Sequence, residues 1–361
     1  MNTELNIRLP LPRMQMNKIL FFTITCAFSF RLIAQDRHFS QFFNSPIQLN
    51  PALAGVMDGT YRVNINYRDQ WNKLTNGNYS TVNASGDINF KVPFRKLQQD
   101  LLGIGASFLS DKASTFGFQS NELAFVGAYH KSVGKNQFLS LGIKTGIQQR
   151  GINFENLKFE DQYIEGQGYV SASRENLPEN NVSFAELAIG LNYNWNASDE
   201  KSFNIGVSWH HLNTPDYSYF NLSLPVNTLP VKKPLYRLFS LNASGSFYNG
   251  SGVITPRIWT LAQGPYLQAL AGASYLLPLD PDQTKKLILG GYVRAVKDES
   301  GLALESFIPM LGIELGKVNF TFSYDANTRR LTQNYFNQSI FEFGLSFTGS
   351  QNNVANICPK F

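Results

Sequence analysis

The strongest constraint on the fold is an alternation of apolar and polar side chains that recurs from residue 60 onward. In residues 61–68 the odd positions are apolar or aromatic and the even positions are polar, and residues 203–210 and 341–348 repeat the pattern. Successive side chains of a β-strand point to opposite faces of its sheet, so each segment predicts a strand with one apolar and one polar face. Their length of about ten residues suits a tilted strand that crosses a bilayer.

About fourteen such segments predict an all-β fold, a transmembrane antiparallel β-barrel over residues 60–349, since single-chain outer-membrane barrels have even strand numbers. The predicted strands are 60–69, 79–90, 101–110, 119–131, 138–150, 182–195, 202–211, 236–247, 252–260, 265–276, 286–297, 303–315, 317–326 and 339–349.

The lengths of the connections support this count. Outer-membrane barrels have short periplasmic turns and long extracellular loops. If the chain enters from the periplasm, the odd-numbered connections face outward, and the two longest, 151–181 and 212–235, are the fifth and the seventh. A miscount of one strand would upset this sorting of long and short connections.

Composition excludes several other classes. Charged residues make up 16 % and aromatic residues 14 % of the chain, and residues beyond 35 contain no apolar run of about 20, the length of a membrane-spanning helix. A soluble β-sandwich or propeller is the main alternative, but its outward face would be polar. The net charge is +5, of which +3 lies within residues 1–35, so no nucleic-acid partner is expected.

Residues 1–35 resemble a secretory signal peptide, with Met16 as the expected true start. Lys18 precedes an apolar run over 19–30, and Ala34-Gln35 provides a small residue at the expected cleavage site. We therefore expect export through a cleaved signal and localisation in a bacterial outer membrane. A lipoprotein signal acylated at Cys26 is the alternative, but the residues before Cys26 lack the usual small side chain.

Residues 36–59 do not alternate and are rich in Asn, Gln and Pro. Pro51 disfavours helix at Asn50, and Gly55 permits a tight turn, so the segment can fold as a plug in or under the lumen. A partner-docking site is the alternative. The remaining segment, 350–361, is expected to be a periplasmic tail.

Motifs in these two segments and on the first predicted strand resemble the PorP/SprF family of the Bacteroidetes type IX secretion system. The family's mature start reads like Gln-Asp-x-x-Phe-Ser-Gln-Phe followed by Asn-Pro-Ala-x-Ala-Gly, its first strand carries Tyr-Arg-x-Gln-Trp, and its ending resembles Cys-Pro-Arg-Phe, where this chain has Lys360. The matching residues are Phe39, Ser40, Gln41, Asn50, Pro51, Ala52, Gly55, Tyr67, Arg68, Gln70, Trp71, Cys358, Pro359 and Phe361.

The resemblance implies an outer-membrane barrel without catalytic activity that works with the secretion or gliding machinery and supports an exported, adhesin-like surface protein. Tyr217, Tyr219 and Phe220 in the loop 212–235 are candidate contacts to that partner, since aromatic side chains often anchor interfaces. Two alternatives remain: a channel for hydrophobic solutes resembling the fatty-acid transporters, and an outer-membrane lipase or protease.

Side chains for chemistry are sparse, so neither a catalytic site nor a cofactor nor a metal is expected. His210 and His211 are adjacent on a strand and would point to opposite faces. Carboxylates in 155–165 allow a calcium site, but a solvated acidic loop is the preferred interpretation. Charges on the polar strand faces are expected to pair inside the lumen: Arg62, Arg68, Lys144, Arg150, Glu186, Arg294, Glu314, Asp325 and Glu342.

Aromatic residues near the ends of the predicted strands suit the girdles at the membrane interfaces, although each could equally pack within the sheet. They are Trp71, Tyr79, Tyr129, Trp195 and Trp259.

Overall fold

The structure is a computed structural model. It describes residues 36–70, 79–92, 100–113, 117–154, 157–171, 173–174, 179–198, 200–219, 233–298, 301–328 and 340–350. One compact unit comprises residues 37–361. In the described ranges no helix combines the length and the apolar character needed to cross a membrane.

The alternating segments form strands. Their bounds are β1 Tyr61–Gln70, β2 Tyr79–Lys91, β3 Leu101–Ala113, β4 Phe118–Gly134, β5 Gln137–Ile152, β6 Tyr163–Ile164, β7 Gly168–Tyr169, β8 Asn181–Ser198, β9 Lys201–His210, β10 Leu238–Tyr248, β11 Val253–Gln263, β12 Tyr266–Pro278, β13 Lys285–Asp298, β14 Gly301–Leu315, β15 Val318–Asn327 and β16 Ile340–Gly349.

Fourteen of these strands form a closed antiparallel barrel, in which each strand pairs with the barrel strands before and after it in the chain, β5 with β8 among them, and β1 pairs with β16. The predicted fold class is therefore confirmed, and each predicted strand end lies within three residues of the observed one. The pair β6 and β7 forms a separate two-stranded sheet in the fifth connection, which the sequence did not predict.

Burial alternates along the barrel strands as their sequence does. In β5 the apolar side chains of Leu139, Leu141, Ile143 and Ile147 are exposed, whereas Ser140, Lys144 and Gln148 are buried. The exposed apolar face suits lipid and the buried polar face lines the interior, the arrangement of an outer-membrane barrel.

The chain between residues 37 and 60 precedes β1 and is mostly helical turns. It contains a 3-10 turn at Phe42–Asn44, a single α-helical turn at Pro46–Leu49 and a second 3-10 turn at Pro51–Leu53. Pro46 and Pro51 each occupy a first helical position, where the missing N–H costs nothing. Hydrogen bonds within these turns satisfy backbone N–H and C=O groups locally, so the segment can be buried without pairing with a strand.

Candidate functional site

The segment 37–57 lies inside the barrel, where its contacts reach strands on every side. We call it the plug. We call the end of the barrel with the long fifth and seventh connections the outer end and the opposite end the inner end. At the start of the plug, Arg37 pairs with Glu122 near the outer end of β4 at 3.5 Å. At its end, the Gly55 N–H donates to Asp87 near the inner end of β2 at 2.7 Å. The plug therefore descends through the lumen before the chain turns into β1 at the end with the short connections.

A charged cluster holds the first part of the plug. The carboxylate of Glu342 accepts hydrogen bonds from the N–H groups of Ser40, at 2.7 Å, and Gln41, at 2.8 Å. Arg68 pairs with Glu342 at 2.9 Å and also donates to the His38 carbonyl at 2.7 Å. The motif residues Ser40, Gln41 and Arg68 thus meet on one carboxylate of the last strand.

A second ion pair adjoins this cluster. The Ser40 hydroxyl donates to Asp325 at 2.7 Å, and Asp325 pairs with Arg294 at 2.8 Å. The carboxylates and guanidinium groups of both pairs are buried. Buried charges are tolerated only when they are paired and hydrogen-bonded, so plug and barrel complete each other here.

The Asn50-Pro51-Ala52 motif fits against glycines in the barrel wall. The Asn50 amide Nδ2 donates to the carbonyls of Leu191, at 3.1 Å, and Val207, at 3.3 Å, while Oδ1 accepts from the Ala52 N–H at 2.9 Å. A Cβ on Gly190 would overlap Asn50, and a Cβ on Gly142 would overlap Pro51. The wall is therefore shaped for this motif.

Gly55 lies in a third polar cluster. Its φ of +82° is one that side chains with a Cβ rarely adopt. Asp87, which accepts from Gly55, also binds Arg62 at 2.7 Å, and Arg62 donates to the Val56 carbonyl at 3.0 Å. His130 contacts the Ala54 carbonyl through Nε2 at 2.8 Å. These contacts fix the point where the plug leaves the lumen.

The other side of the plug is apolar. Phe42, Leu49, Leu53 and Val56 pack in one buried cluster against β11 to β14, on Trp259, Leu261, Leu270, Ile288, Tyr292, Ile308 and Met310. Trp259 faces the lumen, 5.4 Å from the Phe42 ring between centroids, so the interpretation of Trp259 as a girdle residue is wrong and the packing alternative applies. Because the plug covers the lumen face of β11 to β14, that face need not be polar.

A chain of charges runs along the plug toward the outer rim. Lys144 pairs with Glu122 at 2.9 Å and with Glu186 at 3.3 Å, and it donates to Gln48 of the plug at 2.9 Å. Most of the lumen charges that the sequence singled out have such partners, because Arg62, Arg68, Lys144, Glu186, Arg294, Glu314, Asp325 and Glu342 all lie in ion pairs.

Two of the three predicted contact residues of the seventh connection, Tyr217 and Tyr219, are folded onto the rim. The ring of Tyr217 lies 5.0 Å from the Arg150 guanidinium, and the Tyr219 carbonyl accepts from the Glu179 N–H at 3.2 Å. Burial raises the pKa of the Tyr219 hydroxyl. Both side chains are half-buried. Phe220 lies outside the described residues.

The fifth connection also carries exposed aromatic residues on this side. Tyr163 and Tyr169 contact each other across β6 and β7, with centroids 5.3 Å apart, and both are about half exposed. In the same connection the Asp161 carboxylate is engaged by Ser173 and by the Arg174 N–H. The described part of the chain contains no group of three His, Cys, Asp or Glu residues that could hold a metal ion.

Some motif residues do not reach the plug. Tyr67 alternates with Arg68 and shares a groove on the outer face with Ile65 and Phe343, while its hydroxyl donates to Asp69 at 3.2 Å. Gln70 accepts from Arg68 at 3.0 Å and so orients that guanidinium. Trp71, Cys358, Pro359 and Phe361 lie outside the described residues, as does the predicted signal peptide.

A family model described as "Type IX secretion system membrane protein PorP/SprF" matches residues 32–347, which include the plug and almost the whole barrel. The chain belongs to the PorP/SprF family. It is thus an outer-membrane β-barrel of a family of secretion-system membrane components. A comparison with curated proteins gives no match.

Among solved structures, the PorP/SprF chain is similar to the CymD monoaromatic hydrocarbon channel, with 11 % identity, a TM-score of 0.48 and coverage of 86 % of this chain and 94 % of that one. A Pseudomonas aeruginosa FadL homologue matches with 10 % identity, a TM-score of 0.45 and coverage of 82 % and 92 %. BamA from Haemophilus ducreyi, lacking POTRA domains 1–3, matches with 11 % identity, a TM-score of 0.41 and coverage of 80 % and 70 %.

Sequence reasoning missed several PorP/SprF residues that hold the plug. Asp87 and Glu122 lie at polar positions of strands in which apolar and polar residues alternate. This alternation was the available signal that their side chains face the lumen. Gly142 and Gly190 carried no signal, because glycine on a polar strand face is common in barrels and the Asn50 contact is non-local.

Proposed function

We propose that this protein is a non-enzymatic barrel of the type IX secretion or gliding machinery that supports the export or surface attachment of a partner protein. The observation that carries the proposal is the plug. It is held in the lumen by buried ion pairs and an apolar core, which supports a role carried by contacts with other proteins over passage of solutes through the barrel.

The alternative, a channel for hydrophobic solutes, fits the lumen less well. The apolar wall of β11 to β14 is occupied by Phe42, Leu49 and Leu53. A cavity of about 460 Å³ beside the plug is lined mainly by polar side chains, including Arg62, Arg257 and Asn319. Sites for apolar solutes are lined mainly by apolar and aromatic side chains.

The outer rim is the proposed contact surface for the exported partner. Tyr163, Ile164, Tyr169 and Val170 are exposed in the fifth connection, and aromatic residues in such patches often anchor interfaces. Tyr217 and Tyr219 are half-buried beside Arg150 and Glu179 on the same side of the barrel and are proposed to shape this surface.

Deletion of the gene, followed by comparison of surface proteins, tests the function. Loss of one large surface protein is expected, and it should be restored by the wild-type gene. A complementing double variant, Tyr163→Ser with Tyr169→Ser, should reach the membrane but lower the amount of the surface protein. Tyr248→Ser, at the opposite end of the barrel, is the matched control and should restore it fully.

Two results would contradict the proposal. One is an unchanged set of surface proteins together with lost uptake of a hydrophobic solute, which would favour the channel. The other is recovery of the tagged protein from native membranes without any co-purifying machinery component or exported chain.

A further inference from the structure

The polar cavity beside the plug opens at the end of the barrel with the short turns, which is the periplasmic end in outer-membrane barrels. It has a volume of about 460 Å³, and its lining includes the turn residues Gly316 and Lys317 as well as Ser246 at the inner end of β10. Phe43 and Asn44 of the plug form its inner wall. The cavity is therefore reached from the periplasm and ends on the plug.

Arg257 of β11 lines this cavity and is held rigidly. Its guanidinium lies 4.4 Å from the centroid of the Phe43 ring, and its Nη1 donates to the hydroxyls of Ser274, at 2.7 Å, and Tyr292, at 3.0 Å. The orientation of the guanidinium is thus fixed before any ligand arrives. A preorganised donor binds a ligand at a lower entropic cost.

Arg257 also lacks a carboxylate partner among the residues that the structure describes. Lumen cations elsewhere are paired with acids, as in Arg62 with Asp87, Arg68 with Glu342, Lys144 with Glu122 and Arg294 with Asp325. Both hydrogen bonds of Arg257 to the described residues use Nη1, so the edge formed by Nε and Nη2 is available to a ligand. That edge matches the two oxygens of a carboxylate or phosphate.

Two further groups make the cavity suitable for an anion. Asn64 is 2 % exposed, and its Nδ2 donor has no hydrogen-bond partner within the described ranges. Lys317 is exposed at the mouth, and among the described residues it forms no ion pair. The two acids on the lining are Glu314, which is neutralised by Lys286 at 2.6 Å, and Asp58, which is exposed at the mouth.

We infer that this cavity is a binding site for an oxyanion that enters from the periplasm, with the Nε and Nη2 edge of Arg257 as its main contact. The ligand class is a carboxylate or phosphate, either as a free ion or carried on an acidic polypeptide. Phe43 of the plug stacks on Arg257 and so helps to hold the guanidinium in place for the ligand.

Thermal unfolding of the purified full chain in detergent tests the site. A ligand that binds the folded state raises the melting temperature with its concentration. Sodium phosphate, sodium acetate and an acidic peptide of three glutamates are titrated against sodium chloride at equal ionic strength. Wild type should show a rise beyond that of chloride, and Arg257→Gln should weaken the apparent affinity about tenfold or more, because one charged hydrogen bond is worth a factor of that order.

Arg237→Gln is the matched control, since it makes the same charge change at an exposed position at the outer end. It should bind as wild type does. Lys317→Gln, at an exposed turn, should weaken binding to a smaller extent and serves if Arg257→Gln does not fold. Tighter binding of the peptide than of acetate would identify a polypeptide-borne carboxylate, and equal binding a free ion. Equal shifts in wild type, Arg257→Gln and Lys317→Gln, or no shift beyond chloride, would overturn the inference.

Discussion

Arg68 and Glu342 face each other across the seam where the first and last strands close the barrel. They are directly paired in the register of β1 and β16, and their side chains form a buried ion pair at 2.9 Å. The same carboxylate accepts from the plug at Ser40 and Gln41. Glu342 therefore contributes both to the closure of the barrel and to the seating of the plug.

Replacement of Glu342 by Gln should destabilise both features. Arg68 would be left as a buried charge without its partner, a loss of about 3–5 kcal/mol in comparable cases. Urea unfolding in detergent micelles measures the loss of stability, and hydrogen exchange at residues 38–44 should become faster. Glu314→Gln is the matched control, since its pair with Lys286 is more exposed and is expected to contribute only about 0.2–1 kcal/mol. Equal effects of the two substitutions would contradict this account.

Replacement of Gly190 by Ala should unseat the plug while the barrel stays folded. The added Cβ would overlap Asn50, and relief of such overpacking typically costs about 1–3 kcal/mol. Hydrogen exchange at residues 47–56 should increase, and conductance in planar bilayers should rise. Gly127→Ala, where the added Cβ meets nothing within 4 Å, is the control and should behave as wild type. An unchanged exchange pattern in Gly190→Ala would show that the wall does not define the plug position.

The barrel was predictable because its information is local. Alternation in β1, β9 and β16 identifies both faces of each strand from neighbouring residues alone. In β11 to β14 the lumen face carries Trp259, Leu270 and Ile308, so both faces are largely apolar and the alternation is weak there. The turn signals and the strand length still located these strands.

The plug site was predictable in part. Motif residues such as Ser40 and Arg68 were singled out, but their common partner Glu342 lies about 300 positions away from Ser40 in the chain. No local pattern encodes such a pairing. The sequence placed Glu342 on the polar face of its strand, and only the closed barrel brings it to the plug.

Replacement of Asn50 by Asp should weaken the seating of the plug, because it removes a hydrogen-bond donor while the volume of the side chain hardly changes. The new carboxylate would face the carbonyls of Leu191 and Val207, which now accept from the Asn50 amide. Loss of buried hydrogen bonds of this kind costs about 1–3 kcal/mol. Asn213→Asp removes an equivalent bond, to the Ala185 carbonyl, at an exposed position and is the control. Thermal unfolding compares the two, and an equal decrease would argue against a seat at Asn50.

Acid should weaken the periplasmic turn before β3 through Asp100. Burial alone would raise the pKa of this carboxyl, but hydrogen bonds from the Tyr129 hydroxyl, at 2.5 Å, and the Ser132 N–H, at 2.9 Å, together with Lys131, lower the pKa overall. A carboxyl whose pKa is lower in the folded state stabilises the fold above its unfolded pKa of about 3.9. That stability is lost as the pH falls through the lower folded value.

Wild type should therefore keep a constant contribution from Asp100 at neutral pH and lose it below about pH 4. Asp100→Asn should be less stable than wild type at pH 7 by about 1–3 kcal/mol, because the bonds to a charged acceptor are lost. The difference in stability between wild type and Asp100→Asn should shrink as the pH approaches 2, since a protonated Asp100 is uncharged, as Asn is. Asp282→Asn, exposed in the turn between β12 and β13, should follow wild type throughout. Urea unfolding between pH 2 and pH 7 measures these curves, and a constant difference between wild type and Asp100→Asn would rule out the titration of Asp100 as its source.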